Sequence, residues 1–244
     1  DISGRKKSLL ITFALVCIIL TSQLIWVGAG MILWGMVLFI AANIFYQCGQ
    51  IFYNAYLPEL ASRENLGRLS GYGWAAAYLG GIFILLISWP FLKSGTPESI
   101  RLIFFLTALF YLLFSLPAFV LLPSTKTRVH NVGLAGYISS GIKRVQNTLS
   151  HIGEYRQLSH FLLAYFVYME GVASVVYYTS IYAKDVLGFS MAELLYFFLV
   201  LQTVGILGAI VLGRMSDQIG PRVTLLAILC CWTFVTVGVA LVYS

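Results

Sequence analysis

Four side-chain amides, Asn43, Gln47, Gln50 and Asn54, stand inside one long apolar run. Their spacing of 4, 3 and 4 puts all of them on one helical face, within roughly 60° of each other. Tyr46 and Tyr53 flank the row. Uncharged amides both donate and accept hydrogen bonds, so such a stripe can line a cavity and hold a polar solute. The competing role is hydrogen bonding to a neighbouring helix. A second constellation centres on Glu170, with Ser174 and Tyr177 on its face at i+4 and i+7. Glu170 is the only acid deep within an apolar run, where a carboxylate costs roughly 3 kcal/mol. It is the candidate for proton coupling or for binding a cation, against a structural carboxyl beside Gly171. No Lys or Arg lies at comparable depth to pair with it.

Other chemistry has little to work with. His130, His151 and His160 have no Cys, Ser or acid at ligand or triad spacing. There is no His-Glu-x-x-His, P-loop or Gly-x-Ser-x-Gly. Cys17, Cys48, Cys230 and Cys231 all fall in apolar runs without metal-ligand or redox spacing. No enzyme, catalytic residue, metal or cofactor is therefore expected, and ATP-driven transport would need a separate subunit.

The elements that position these residues follow from composition. Of 244 residues, 60% are hydrophobic and 10% charged, and the mean hydropathy is +0.90. A soluble globule has about 25% charged residues with which to cover its core. The expected class is an all-α membrane protein. Seven continuous apolar runs, at about 8–27, 30–56, 70–92, 100–122, 158–183, 191–212 and 223–243, are each long enough to span the bilayer as a helix. Thr96-Pro97-Glu98 and Ser190-Met191-Ala192-Glu193 read as helix N-termini, the second as a capping box. Pro58, Pro90 and Pro123 are expected where spans stop, and Pro117 inside the fourth is expected to kink it.

Charge orients the chain. With Asp1 cytoplasmic, only Lys93, Arg101 and Lys184 of the fifteen basic residues fall outside. The positive-inside rule predicts that bias. The net charge of +6 is thus accounted for by the lipid bilayer, and no nucleic-acid partner is expected. With seven spans, Ser244 lies outside.

A repeat organises the spans. Asp1-x-x-Gly4-Arg5-Lys6 and Gly213-x-x-x-Asp217-x-x-Gly220-Pro221-Arg222 match in Asp, Gly and base at an offset of 216 residues, each just before a new span. Six spans separate the copies, so both lie on the cytoplasmic side. A parallel six-helix repeat is a transporter layout. The Asp can cap a helix N-terminus or pair with a base. Gly220 permits a left-handed turn, and Gly213 lets another helix approach closely.

These turns resemble the Gly-x-x-x-Asp-x-x-Gly-Arg-Lys type motif of the major facilitator superfamily, with Pro221 where a base is more usual. The resemblance implies a partial major facilitator fold covering helices three to nine of twelve, in a chain that opens in mid-loop and is expected to be a fragment. Residues 1–123 are then the latter part of the N-terminal half, 124–157 the cytoplasmic connection and 158–244 the first part of the C-terminal half. Asn54-x-x-Leu57-Pro58, Ser70-Gly71-Tyr72-Gly73-Trp74 and Tyr168-Met169-Glu170-Gly171 look like the branch of autophagy-linked vacuolar effluxers and their bacterial relatives. That branch implies amino-acid efflux, in a bacterial inner membrane or a vacuolar or plasma membrane. The second and fifth spans become helices four and seven, both cavity helices in the superfamily.

The expected function is secondary active transport of a small polar solute by alternating access, with a proton as the candidate coupling ion. Asn43, Tyr46, Gln47, Gln50, Asn54, Glu170, Ser174 and Tyr177 are the expected solute contacts. Asp1, Gly4, Arg5, Lys6, Gly213, Asp217, Gly220 and Arg222 form the expected gating loops, and the helices absent from this fragment are partners. Gly71, Gly73, Gly80 and Gly81, like Gly205, Gly208, Ala209 and Gly213, read as close-packing surfaces, and Gln202 as a helix contact. In the connection, Ile138, Ile142, Val145, Leu149 and Ile152 form one apolar stripe with Lys143, Arg144, Gln146 and Asn147 off it, an interfacial amphipathic helix. The rival functions are a non-transporting scaffold or receptor of the same fold, a lipid carrier, and an intramembrane enzyme for which no nucleophile–base pair is visible.

Overall fold

The computed structural model describes residues 6–123, 134–151, 153 and 156–242. Among them the chain is helical throughout: α1 (Lys6–Gln23), α2 (Ile32–Asn54), α3 (Leu57–Leu60), α4 (Leu66–Ser94), α5 (Pro97–Leu121), α6 (Leu134–Ser150), α7 (Arg156–Asp185), α8 (Met191–Ile219) and α9 (Pro221–Val242). All but the short α3 and the polar α6 are long and apolar enough to cross a membrane, which makes seven spans among the described residues. In a bilayer a helix satisfies its own backbone, which is why continuous apolar runs fold this way.

Local signals set the helix ends. Thr96 caps α5, its hydroxyl accepting from the Ser99 amide at 3.3 Å with Pro97 next in line. Ser190 and Glu193 close the capping box in both directions, at 2.8 and 3.3 Å. Before it, α7 ends with the Phe189 amide bonded back to Ala183 across Gly188, whose φ is +69°. One proline behaves differently from expectation. Pro90 lies inside α4, which continues to Ser94 and stops at Gly95 with φ +64°. Pro58 stands in the first turn of α3, at the end of the span Ile32–Leu60 as expected. A missing amide costs one helix bond, but leaving the helix inside lipid would expose several.

The chain falls into two compact units. The larger gathers Lys7–Leu122 and Leu195–Ser244. Its most buried side chains are Tyr56, between α2 and α3, and Ala108 of α5, and α1 adds the buried Leu10, Ala14, Cys17 and Ile18. Phe13 of α1 packs against Phe45 and Phe52 of α2, with ring centroids 5.8 and 5.5 Å apart. The Lys7 ammonium donates to the carbonyls of Val120 and Leu122, at 3.2 and 2.7 Å. It closes the C-terminal end of α5, where carbonyls lack helical partners. The smaller unit, centred on Pro123–Leu194, contains α6, α7 and the first turn of α8.

Candidate functional site

Helix α2 carries the whole amide row. Asn43, Gln47 and Asn54 are exposed and Gln50 is half-buried. Asn43 donates to the Phe39 carbonyl at 2.9 Å, and Gln50 donates to the Tyr46 hydroxyl at 2.9 Å. Asn43 and Gln47 border an open groove of about 410 Å³ with Phe39, Ile40, Ile44, Cys48 and Ile51. Asn54 belongs to a different groove of about 790 Å³, shared with Ser70, Trp74 and Tyr78 of α4, Ala209 and Ser216 of α8, and Thr224 of α9. One helical face therefore serves two grooves. Trp74 enters the sequence reading only as part of a family stretch, and nothing in that reading marks it or Tyr78 as walls of a groove.

The second groove lies along an antiparallel contact between α4 and α8. A Cβ on Gly67 would sit 2.5 Å from the Gly213 carbonyl oxygen, and one on Gly213 would sit 2.6 Å from the Gly67 carbonyl oxygen. A Cβ on Gly71 would collide with the Ala209 carbonyl oxygen, and one on Gly205 would meet the Tyr78 ring at 3.0 Å. Beyond them the Gln202 amide presses on Gly81. Of the small residues expected to pack closely, Gly71, Gly81, Gly205, Ala209 and Gly213 lie in this contact, where small side chains let backbones approach, whereas Gly73 and Gly80 face Tyr53 and Phe110 and Gly208 has open space beside it.

Asp217 closes one end of this contact. Its carboxylate accepts from the Gly67 amide at 2.7 Å and the Arg68 amide at 2.9 Å. The Arg68 guanidinium lies 3.6 Å away, and the Asp217 side chain is only 5% exposed. These amides belong to the first turn of α4, where N–H groups have no helical acceptor and the backbone dipole favours negative charge. Asn65, at the N-cap position itself, makes no side-chain cap; its amide goes to the Ser62 hydroxyl. So α4 is capped by a residue 150 positions away. The expected N-terminal cap and the expected pairing with a base are both present at Asp217. Its donors, the Gly67 and Arg68 amides, are not legible in the sequence, because an unfilled local cap points to a distant acceptor without naming it. Gly220 takes φ +89° between α8 and α9, and Arg222 is exposed in the first turn of α9. Lys6 opens α1. Asp1, Gly4 and Arg5 lie outside the described residues.

On α7, Glu170, Ser174 and Tyr177 are all exposed. Among the described residues no hydrogen bond or ion pair to Glu170 is present. Along α7, Phe161 and Tyr165 make a tilted ring contact and Tyr165 and Tyr168 an edge-on one, with centroids 6.3 and 5.3 Å apart.

The family described as "Vacuole effluxer Atg22 like" matches residues 1–241. An uncharacterized MFS-type transporter of Bacillus subtilis, YxiO, is 25% identical over 226 residues, covering 89% of this chain and 52% of that protein. Autophagy-related protein 22-1 of Penicillium rubens is 26% identical over 178 residues, 68% of this chain and 30% of that protein. Autophagy-related protein 22-1 of Aspergillus fumigatus is 27% identical over 177 residues, 68% and 29% respectively. The chain thus spans about half the length of the bacterial relative and less than a third of these fungal ones. No solved structure matches it. Seven apolar helices and a match that runs through nearly the whole chain make this a multi-pass membrane protein of the Atg22-like vacuole effluxer family.

Proposed function

We propose that this chain is the central portion of a secondary active transporter that moves a small polar solute by alternating access. Amino acids are the first solutes to consider, since the relatives' family is described as vacuole effluxers. The observation that carries the reading is the Asp217 cap. It joins α4 of the first half to α8 of the second at one end of the bundle, through two hydrogen bonds and a bare glycine contact. A contact of that kind can hold one side of a transporter closed and still release, because little side-chain interdigitation must be undone.

In this mechanism Asn43, Tyr46, Gln47 and Gln50 hydrogen-bond the solute near the middle of α2, and Asn54 lies toward the clamped end. Glu170, with Ser174 and Tyr177, carries the coupling proton or a cation. Asp217, with Gly213, Gly220 and Arg222, sets the closed side. The matching sequence Asp1-x-x-Gly4-Arg5-Lys6 is its proposed counterpart in the other half. The clamped end is cytoplasmic, where Arg63, Arg68, Arg214 and Arg222 gather. Counterflow of labelled amino acids and other small polar solutes into proteoliposomes of the full-length protein tests this. Accumulation of at least one solute class is expected. Specific binding without exchange of any of them would replace the transporter with a receptor.

A further inference from the structure

We infer that α6 is a docking element for the anionic headgroups of the membrane that flanks it. The helix runs from Leu134 to Ser150, about 25 Å at the usual rise. Ile142 and Val145 are 54% and 60% exposed on it, one turn apart on the same stripe. Lys143 is exposed beside them. The sequence sets Arg144 on the other side of that stripe. Residues 124–153 contain Lys126, Arg128, Lys143 and Arg144 but no Asp or Glu. An apolar stripe bordered by bases and free of acids matches a surface that is apolar below and anionic at the headgroups.

The same unit brings the bilayer to the helix. Five residues separate Ser150 from Arg156, where α7 begins. Fully extended, that link reaches about 20 Å. The end of α6 is therefore held close to the headgroup layer into which α7 inserts. At that end His151 folds back on the helix, its Nδ1 2.8 Å from the Asn147 carbonyl, so the helix terminates before the link starts. Tethering makes docking intramolecular, and two modest contributions then suffice to populate it. Neither basic charge is needed for the α4–α8 clamp, so this inference stands or falls separately from the transport mechanism.

The test uses the full chain in nanodiscs of phosphatidylcholine alone, or with about one third phosphatidylglycerol. I142C and N147C are labelled with an uncharged, water-soluble maleimide, and the rate of the parent chain's own thiols is subtracted. Position 147 is roughly 140° around the helix from 142 and faces water when the helix docks. I142C is expected to react about 25-fold more slowly in the anionic discs, about fivefold for each of the two bases. N147C is expected to change little. K143Q/R144Q in the I142C background should abolish the lipid dependence. Equal I142C rates in the two lipids would overturn the inference. So would equal slowing of N147C, which signals burial against protein, and so would protection that persists in uncharged detergent, which signals a second copy or another helix.

Discussion

Asp217→Asn isolates the clamp between α4 and α8. In the wild-type chain each carboxylate oxygen takes one first-turn amide of α4, at 2.7 and 2.9 Å, in a nearly dry site. Asparagine keeps a single acceptor and turns an NH2 group toward the second amide. One ionic hydrogen bond is lost, worth about 2 kcal/mol, and the other becomes neutral, worth about 1 kcal/mol less. Arg68 adds little, since it is 45% exposed and 3.6 Å away. A total near 3 kcal/mol raises the opening equilibrium of this helix end by roughly 100-fold. Hydrogen exchange on the full-length protein in nanodiscs reads it directly, because the Gly67 and Arg68 amide hydrogens are the ones released. Exchange in a peptide covering 65–70 should accelerate by about that factor. The first turn of α5, capped by its own Thr96, serves as the internal control. Unchanged exchange at α4, or equal acceleration at both helices, would refute the reasoning.

Glycine replacements should separate contact from propensity. Gly71→Ala drives a methyl into the Ala209 carbonyl and to 3.1 Å from the Gly213 Cα, so it should destabilise by about 1–3 kcal/mol. Gly208→Ala meets nothing within 4 Å and should stabilise by up to about 1 kcal/mol; thermal unfolding shifts of the same sign for the two would contradict the geometry. Lys7→Met removes both hydrogen bonds to the end of α5 and should cost about 1–3 kcal/mol in a denaturant titration, with Lys7→Arg recovering part of it. Glu170→Gln should insert normally and abolish the pH dependence of flux in proteoliposomes. A full-length Glu170→Gln protein whose flux keeps its proton dependence would remove Glu170 from the coupling role.

Signals that act within one turn were legible in the sequence. Thr96 and the Ser190–Glu193 pair name their own partners three residues away, and the structure places them there. The third span opens at Leu66 instead of near 70 and the sixth runs on to Ile219 instead of 212. Both differences have one cause. The polar turns at 66–69 and 213–219 stay helical because each completes the other, with Asp217 capping α4 and Gly213 lying against Gly67. Hydropathy alone ends a helix where its apolar residues end, and that rule fails where a distant residue supplies the cap. Pro90 departs from expectation for a related reason. Proline lowers helix stability locally, but four more residues of α4 stay helical because their backbone has no better partner than itself.

The amide row shows what periodicity reveals and what it omits. Spacing put Asn43, Gln47, Gln50 and Asn54 on one face, and α2 is helical through all four. Spacing does not say that a face is a single site. From Asn43 to Asn54 the helix rises about 16 Å, further than one small solute can reach. Asn43 stands at the middle of the 23-residue helix and Asn54 is its last residue. The two ends of the row accordingly open into separate grooves, one bordered by α2 alone and the other shared with the α4–α8 contact. A solute held at mid-span by Asn43 and Gln47 does not touch Asn54. Asn54 instead sits in the groove walled by Gly67, Gly71 and Gly213, the same glycines whose contact Asp217 latches. In the transport mechanism, then, one row of amides divides by depth. Under that proposal its inner members would recognise cargo, and its last member would sit where the closed side must part to let that cargo leave.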